Sequence, residues 1–142
     1  MKKLAVIYWS GTGNTEAMAR LVAEGAGQAG AQAELLTCAQ VGADTAAVYD
    51  GFALGCPAMG AEQLEESEFE PMYQGLRGSL SGKPVVLFGS YGWGSGEWME
   101  TWAEDLAQAG GRMPAEPVIV NGMPEGDDAA ACTALGAALA NA

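Results

Sequence analysis

The sequence predicts an α/β fold in which a parallel sheet is covered by helices on both faces. Five short apolar runs, rich in Val, Ile, Leu and aromatic residues, are typical of strands buried on both faces. Helical patterns alternate with these runs, and this alternation favours a parallel sheet because each strand is followed by a crossover connection. The predicted strands are residues 3–9, 33–38, 51–56, 84–90 and 117–120.

Three helices are predicted from apolar residues at helical spacing. The first covers 14–29, with Met18 and Val22 on one face and Gly30 at its end. A second precedes the pair Gly110–Gly111, and a third closes the chain. Their apolar faces comprise Trp98, Trp102 and Leu106 in the second helix and Cys132, Leu135, Gly136 and Leu139 in the third.

Two further segments are less well defined by the sequence. Pro71 suits the first turn of a helix over about 70–79, whereas Gly75 and Gly78 weaken it. The segment 40–50 is compatible either with a short helix or with a loop. No internal repeat or separate linker is found, so residues 1–142 are predicted to form one domain.

Composition excludes several classes of protein. The chain has 18 Asp and Glu against 6 Lys and Arg, a formal net charge of -12 and no His. This balance argues against nucleic acid as a partner and favours basic protein surfaces. Without His, no Ser/His/Asp or Cys/His set exists for nucleophilic hydrolysis.

Cysteine usage and hydropathy indicate a reduced, cytoplasmic setting. The three cysteines are scattered along the chain, which fits neither a disulfide framework nor a zinc site. The apolar run after Lys2–Lys3 stops at Trp9 without a cleavage pattern, and no run is long enough to span a membrane.

The candidate site is expected in the loops after strands one, three and four. In open parallel sheets a ligand binds outside the carboxyl ends of the strands, where the winding of the chain reverses. This rule selects residues 10–15, 57–62 and 91–96.

The loop 10–15 has the sequence SGTGNT and is predicted to hold a phosphate group. It offers hydroxyls, an amide and glycine backbone N–H groups, and it ends at a helix N-terminus that favours an anion. An ordinary turn with Ser or Thr capping is the alternative. The absence of a Lys-Ser or Lys-Thr pair argues against a γ-phosphate with magnesium, and Glu16 breaks a Gly-x-Gly-x-x-Gly pattern. A terminal phosphomonoester on a bound cofactor suits this neutral loop.

The other two loops predict a slot for a planar ring. Gly60 permits a positive φ, so the Met59–Gly60 peptide can adopt two turn types, although a plain surface turn is equally compatible. In the loop 91–96, Tyr91 and Trp93 alternate with glycines, which suits stacking against an aromatic ligand. The alternative is that Trp93 merely covers the end of the sheet.

Three segments, "YWSGTGNTEAM", "LGCPAMGAEQLEESEFEP" and "FGSYGWGSGEWM", closely resemble the flavodoxins, in particular the short-chain clostridial type. The resemblance covers nearly the whole chain. It implies the strand order 2-1-3-4-5, non-covalent FMN and low-potential one-electron transfer between semiquinone and hydroquinone. It implies redox partners with basic docking patches, namely a reductase and electron-accepting enzymes, and a monomeric, cytoplasmic carrier rather than an enzyme.

The resemblance also assigns site residues. Residues 10–15 should bind the FMN phosphate, while Met59 and Trp93 should lie on opposite faces of the ring. The Met59–Gly60 carbonyl should turn toward flavin N5–H, and Glu62 should accept from N3–H. The full set of expected cofactor-binding residues is Trp9, Ser10, Gly11, Thr12, Gly13, Asn14, Thr15, Pro57, Ala58, Met59, Gly60, Ala61, Glu62, Ser90, Tyr91, Gly92, Trp93 and Gly94.

Two positions depart from the family pattern. Pro57 stands where some relatives have a Ser, which removes one phosphate contact, and Ala61 replaces an Asp, which puts the tuning of the semiquinone in doubt. Gly122 to Asp128 is too short for the segment inserted in long-chain flavodoxins.

Acidic residues flank the proposed site loops and are expected to form a solvated rim. Their charge should lower the potential of the flavin's second reduction step, from semiquinone to hydroquinone, and should attract basic partner proteins. They are Glu62, Glu65, Glu66, Glu68, Glu70, Glu97, Glu100, Glu104 and Asp105. Two other functions remain open on the same topology: an NAD(P)H-dependent quinone reductase, and a signalling receiver module. The receiver module ranks last because Pro57 occupies the place of its phosphorylated Asp.

Overall fold

A computed structural model of the chain describes residues 2–11, 13–42, 44–59, 63–92 and 94–142. Five parallel strands form one sheet in the order β2-β1-β3-β4-β5, which confirms the predicted topology. The strands are β1 (Lys3–Tyr8), β2 (Gln32–Thr37), β3 (Gly51–Gly55), β4 (Val85–Tyr91) and β5 (Val118–Asn121). The helices are α1 (Asn14–Gln28), α2 (Thr45–Val48), α3 (Phe69–Arg77), α4 (Glu97–Gln108) and α5 (Asp127–Ala140).

The two segments that the sequence left less certain both contain helix. The stretch 40–50 includes the one-turn helix α2, preceded by a 3₁₀ turn at Cys38–Gln40. In α3, Pro71 falls in the first turn, where its missing N–H has no intrahelical acceptor to lose. Gly78 follows the last helical residue, so the glycine that weakened the prediction marks the end of the helix.

The sheet divides the core into two apolar layers because side chains alternate between its faces. On one face, α1 and α5 pack against Leu4, Val6 and Phe88. On the other, α3 and α4 pack against Ile7, Leu54 and Leu87. This explains the continuous apolar runs in the sequence, since β1, β3 and β4 are buried on both sides.

The helices α1 and α5 approach each other closely through two glycines. A Cβ atom built on Gly136 would lie 1.9 Å from the carbonyl oxygen of Val22, and one built on Gly25 would lie 2.0 Å from that of Thr133. Only residues without a side chain fit these contacts. Within the part of the chain that the structure describes, no helix has the length and apolarity needed to cross a membrane.

Candidate functional site

A cavity of about 340 Å³ opens at the carboxyl ends of β1, β3, β4 and β5. Residues from all three predicted loops meet at this cavity, as expected from the parallel sheet. The predicted residues that line it are Trp9, Gly11, Asn14, Pro57, Ala58, Met59, Ser90, Tyr91 and Gly92. Of the other predicted residues, Ser10, Gly13, Thr15 and Gly94 lie in the same segments without lining the cavity, and Thr12, Gly60, Ala61, Glu62 and Trp93 fall outside the described residues.

The loop after β1 turns backbone N–H groups toward an oxygen atom. The Ser10 hydroxyl oxygen accepts from the N–H of Gly13 at 3.1 Å and from the N–H of Glu16 at 3.2 Å. Gly13 has a φ of 98° and directly precedes α1, so the chain enters the helix through a conformation that favours glycine. The N–H groups of Gly13 and Glu16 are therefore satisfied by the chain's own Ser10 oxygen, and the loop carries no cation.

The Thr15 hydroxyl, which was expected to serve the phosphate loop, also bonds across to β4. The Thr15 side chain is buried, and its Oγ1 atom lies 2.9 Å from Oγ of Ser90. The backbone N–H of Ser90 also donates to Thr15 Oγ1, at 3.4 Å. Because Thr15 faces the sheet from the first turn of α1, its hydroxyl connects this helix to β4.

The Trp9 side chain is held at the cavity by Glu68, a residue of the predicted acidic rim that is exposed as expected. Its indole Nε1–H donates to Oε2 of Glu68 at 2.9 Å, and its backbone N–H donates to the Gly55 carbonyl at 3.0 Å. A Cβ atom on Gly11 would lie 3.1 Å from the Trp9 ring. Glu68 thus orients one wall of the cavity while it remains an exposed surface charge.

Two residues of the segment after β3, Met59 and Gln63, are paired with each other through their backbones. The N–H of Met59 donates to the Gln63 carbonyl at 2.9 Å, and the N–H of Gln63 donates back to the Met59 carbonyl at 3.1 Å. The N–H of Ala58 donates to the Ser90 carbonyl at 3.0 Å. These bonds hold Met59 and Gln63 together and fix Ala58 to β4 beside the cavity.

Trp98 connects the ends of β3 and β4 from beneath the cavity. This buried side chain donates its indole N–H to the Cys56 carbonyl at 3.2 Å. Its ring also lies 5.8 Å from the ring of Tyr91, centroid to centroid, at an interplanar angle of 51°. The sequence predicted Trp98 as a core residue of α4, and the structure adds its contact with both site loops.

Glu65 is not part of the expected solvated rim. Its carboxylate is buried and accepts from the N–H groups of Ser67, Glu68 and Phe69 at 2.9, 2.7 and 2.9 Å, and also from the Ser67 hydroxyl. Burial alone would raise the pKa of this carboxyl, but these hydrogen bonds outweigh it and lower the pKa to about 2. Glu65 thus satisfies N–H groups at the start of α3.

Asp105 is the second acidic residue placed differently from the expectation. Its carboxylate pairs with Arg77 through two contacts of 3.0 Å and accepts from the Tyr73 hydroxyl at 2.8 Å. Burial raises the pKa of Tyr73 strongly, and the Asp105 carboxylate adds to that shift. Asp105 therefore joins α4 to α3, while Glu66, Glu100 and Glu104 remain exposed as the rim prediction required.

Sequence reasoning missed two residues that line the cavity. Asn121 ends β5, and Gly122 follows it with a φ of 79° and an N–H that donates to the Tyr91 carbonyl at 3.1 Å. The loop after strand five was not considered, although the carboxyl end of β5 lies at the same edge of the sheet. A search of all strand ends would have found both residues.

Comparison with known proteins now identifies the family. The flavodoxin family model matches residues 6–136. The chain belongs to the flavodoxin family. It is 47% identical over 137 residues to a flavodoxin from Megasphaera elsdenii, with 96% of this chain and 98% of the relative covered. A flavodoxin from Clostridium beijerinckii is 44% identical over 122 residues, covering 86% and 88% respectively.

Solved flavodoxin structures share the fold. The solution structure of two-electron reduced Megasphaera elsdenii flavodoxin superposes with a TM-score of 0.90 over 98% of this chain and 99% of that one. An archaeal flavodoxin, 28% identical, gives a TM-score of 0.86 over 98% and 96% of the two chains. Both the family resemblance and the fold predicted from the sequence are therefore confirmed.

Flavodoxins are electron-transfer proteins whose cofactor is FMN, and the site of this chain fits that cofactor. The loop 10–15 supplies hydroxyls and backbone N–H groups at the N-terminus of α1, a position that favours a phosphate. The adjoining cavity has walls from Trp9, Met59 and Tyr91 and falls within the range of about 300–1,000 Å³ that is usual for small-molecule sites. The prediction of FMN as cofactor is confirmed.

Proposed function

We propose that this chain is a low-potential electron carrier that binds FMN non-covalently and alternates between its semiquinone and hydroquinone. The observation that supports this most directly is the combined site at the strand ends. A cation-free loop at the N-terminus of α1 lies beside a cavity with aromatic and Met walls. When bound, FMN supplies the one-electron chemistry, and the protein supplies binding, orientation and electrostatics.

The proposed binding roles follow from the three loops. Residues 10–15 would bind the phosphate through backbone N–H groups and hydroxyls, with Thr15 acting from the backbone because its hydroxyl bonds Ser90. Met59 and Trp93 would flank the ring, and Glu62 would accept a hydrogen bond at its polar edge. Pro57, Ala58, Tyr91 and Gly92 would close the remaining sides, together with Asn121 and Gly122.

The negative net charge of the protein would lower the reduction potential of the bound flavin. The chain carries a formal charge of -12, and no cation lies in the loop 10–15. A unit negative charge about 10 Å from the ring opposes a further negative charge by roughly 1.7 kcal/mol at an effective dielectric constant near 20. For a one-electron step this is about 70 mV per charge before screening by salt, so several carboxylates would lower the second potential appreciably.

We further propose the compartment, the oligomeric state and the partners of this carrier. We place it in the cytoplasm as a monomer, with residues 1–142 forming one domain, and with partners that present basic patches: a reductase and electron-accepting enzymes. We assign it no enzymatic activity of its own. A quinone reductase on the same fold would need access for a nicotinamide ring over one flavin face, which Trp93 is expected to cover.

Stepwise reduction of the purified protein, followed by its absorption spectrum, tests the proposal. A yellow protein that passes through a long-lived one-electron-reduced form before full reduction is expected. A single two-electron step without that form would overturn the carrier proposal. In a parallel assay, NADH and a quinone without added reductase should give no turnover, whereas rapid turnover would establish the quinone reductase instead.

A further inference from the structure

The edge strand β5 leaves backbone groups unpaired. It is the last strand of the sheet and pairs with β4 on one side only. The N–H of Gly122 donates to β4 at 3.1 Å, and because backbone groups alternate in direction along a strand, those of Val118 and Val120 also face β4. The N–H and carbonyl groups of Ile119 and Asn121 therefore point away from the sheet. Among the described residues, no hydrogen bond to these outward groups is found.

A cavity of about 410 Å³ lies beside this edge, between β5 and α4, and we call it the α4–β5 groove. The helix α4 packs with Leu54 and Leu87 of the inner strands, whereas no residue of the fully described strand β5 belongs to the core on that face. Ile119 is 36% exposed and lines the groove. A Cβ atom on Gly96 would lie 2.9 Å from its Cδ1 atom, so the Ile119 side chain lies against the start of α4.

The α4–β5 groove combines an apolar surface with negative charge. Its apolar lining residues are Met99, Ala103, Pro117 and Ile119, of which only Met99 is fully buried. Glu100 and Glu116 also line it, and both are exposed. None of the described residues that line the groove is a cation. The charge favours a basic occupant and disfavours a second copy of this chain, whose net charge is -12.

We propose that an extended, basic segment of a redox partner protein adds to β5 as a sixth strand of the sheet. The outward N–H and carbonyl groups of Ile119 and Asn121 supply main-chain hydrogen bonds, as exposed sheet edges do for extended peptides. Alternate side chains of the added strand point to the α4 side. There, the methylene groups of lysine or arginine cover Ile119 and Pro117, while their charged ends reach Glu100 or Glu116.

A strand in this position would bring the partner to the flavin site. Asn121 ends β5 and also lines the strand-end cavity, as does Gly122. The groove extends to Ser95, in the loop 91–96 that is expected to contact the flavin ring. This inference rests on the proposed function, since it gives that carrier a docking edge for its partner.

Backbone hydrogen exchange of the FMN-bound protein, followed by nuclear magnetic resonance with and without a basic peptide, tests the inference. The probe is a capped hexapeptide in which valine and lysine alternate. At saturating peptide, exchange of the Ile119 and Asn121 N–H groups should slow by about tenfold or more, because they gain hydrogen-bond acceptors. Exchange at Val118 and Val120, which already face β4, should change much less.

Charge substitutions separate the groove from general attraction to an acidic protein. Glu100→Gln removes a carboxylate that lines the groove and should weaken peptide binding by about threefold, the size expected for one exposed ion pair. Glu24→Gln removes the same charge from an exposed position of α1, on the opposite face of the sheet, and should change binding much less. A capped peptide with glutamate in place of lysine should not bind.

Three results would overturn the proposal. The first is equal weakening by Glu100→Gln and Glu24→Gln, and the second is unchanged exchange at Ile119 and Asn121 when the peptide is bound, including slower exchange only along β2, the opposite edge of the sheet. The third is protection of β5 that rises with protein concentration without peptide, because a second copy of the chain would then occupy the edge. Since no reduction spectrum is involved, failure here leaves the proposed carrier function standing.

Discussion

The Ser10 hydroxyl shows how a neutral loop prepares an anion site. Its oxygen accepts from two backbone N–H groups, those of Gly13 and Glu16, at the start of α1. Those N–H groups have no acceptor inside the helix, so a side-chain oxygen stabilises them. The same arrangement fixes the path of the loop into α1 without a Lys or Arg.

Replacing Ser10 by alanine should therefore weaken both the fold and FMN binding. Ser10→Ala removes an acceptor for two N–H groups, so we expect a loss of about 1 kcal/mol in the free energy of unfolding of the FMN-free protein. Urea unfolding measures this loss, and fluorescence titration with FMN measures the accompanying drop in affinity. Ser79→Ala, at an exposed position after α3, is the control and should change neither quantity. Unchanged stability and affinity in Ser10→Ala would contradict the assigned role.

Glu65 illustrates a charge that stabilises the fold from the interior. Its carboxylate accepts four hydrogen bonds, and its own N–H donates to the Cys56 sulfur at 3.3 Å. The ionised form is therefore preferred in the folded state, where the pKa is about 2 against an ordinary value of 4.5. Because the folded-state pKa is the lower one, the stabilisation is complete above about pH 4.5 and is lost as the pH falls toward 2.

Glu65→Gln should remove much of this pH dependence. At pH 7 we expect the variant to be less stable by up to about 3 kcal/mol, which is the free energy equivalent of the pKa shift. Urea unfolding of the FMN-free protein between pH 7 and pH 2.5 checks this, with a flatter profile expected for the variant. The exposed Glu66→Gln is the matched control. An identical acid-dependent loss in Glu65→Gln and the parent chain would show that other groups cause it.

At the scale of secondary-structure elements, α1 and α5 are in direct backbone contact. Gly25 and Gly136 bring backbone against backbone, and Leu135 and Leu139 from α5 fill the layer beside Met18 and Val22. A side chain at either glycine would have to displace a rigid carbonyl group. The close packing of α1 also positions the loop 10–15, which leads directly into this helix.

Gly136→Ala should destabilise the protein by at least about 2 kcal/mol, because its methyl group would overlap the Val22 carbonyl. Gly27→Ala offers a matched control within α1, since a Cβ at Gly27 meets nothing within 4 Å. That substitution should raise stability by up to about 1 kcal/mol through better helix propensity. Thermal unfolding of both variants gives the comparison, and equal effects would refute the close-approach explanation.

At the scale of the whole molecule, the dominant property is negative charge. The chain has eighteen acidic residues and six basic ones. Two of the basic residues, Arg20 and Arg77, are each paired with a carboxylate of the same chain. The remaining field extends over about a Debye length, roughly 8–10 Å at physiological salt. It accelerates encounters with basic partners and repels acidic ones.

Electron transfer to a basic protein should therefore slow as salt rises. With the chemically reduced FMN-bound protein and a strongly basic cytochrome as acceptor, we expect the second-order rate to fall about tenfold between low and high ionic strength. Stopped-flow absorbance follows the reaction. A small uncharged quinone as acceptor should show almost no salt dependence, and similar salt independence with the cytochrome would remove the steering argument.

Most of the fold could be predicted because its pattern is local. Strands buried on both faces require continuous apolar runs, as in 3–9 and 84–90, and the helix from Asn14 follows the apolar spacing of Met18 and Val22. The strand-end site could also be located in advance, because parallel strands place their carboxyl ends at one edge. Asn121 and Gly122 were missed because the loop after strand five was left out, although β5 ends at the same edge of the sheet.

The sequence by itself determined the fold class, the family, the acidic character and the three loops that meet at the strand ends, since each depends on residue type and spacing. Tertiary structure decided the partners of individual polar groups. Only in the folded chain does Thr15 reach Ser90, Glu68 reach Trp9 and Asp105 reach Arg77. The physical reason is that a hydrogen bond or ion pair depends on distance in space, and packing brings together residues that lie far apart along the chain.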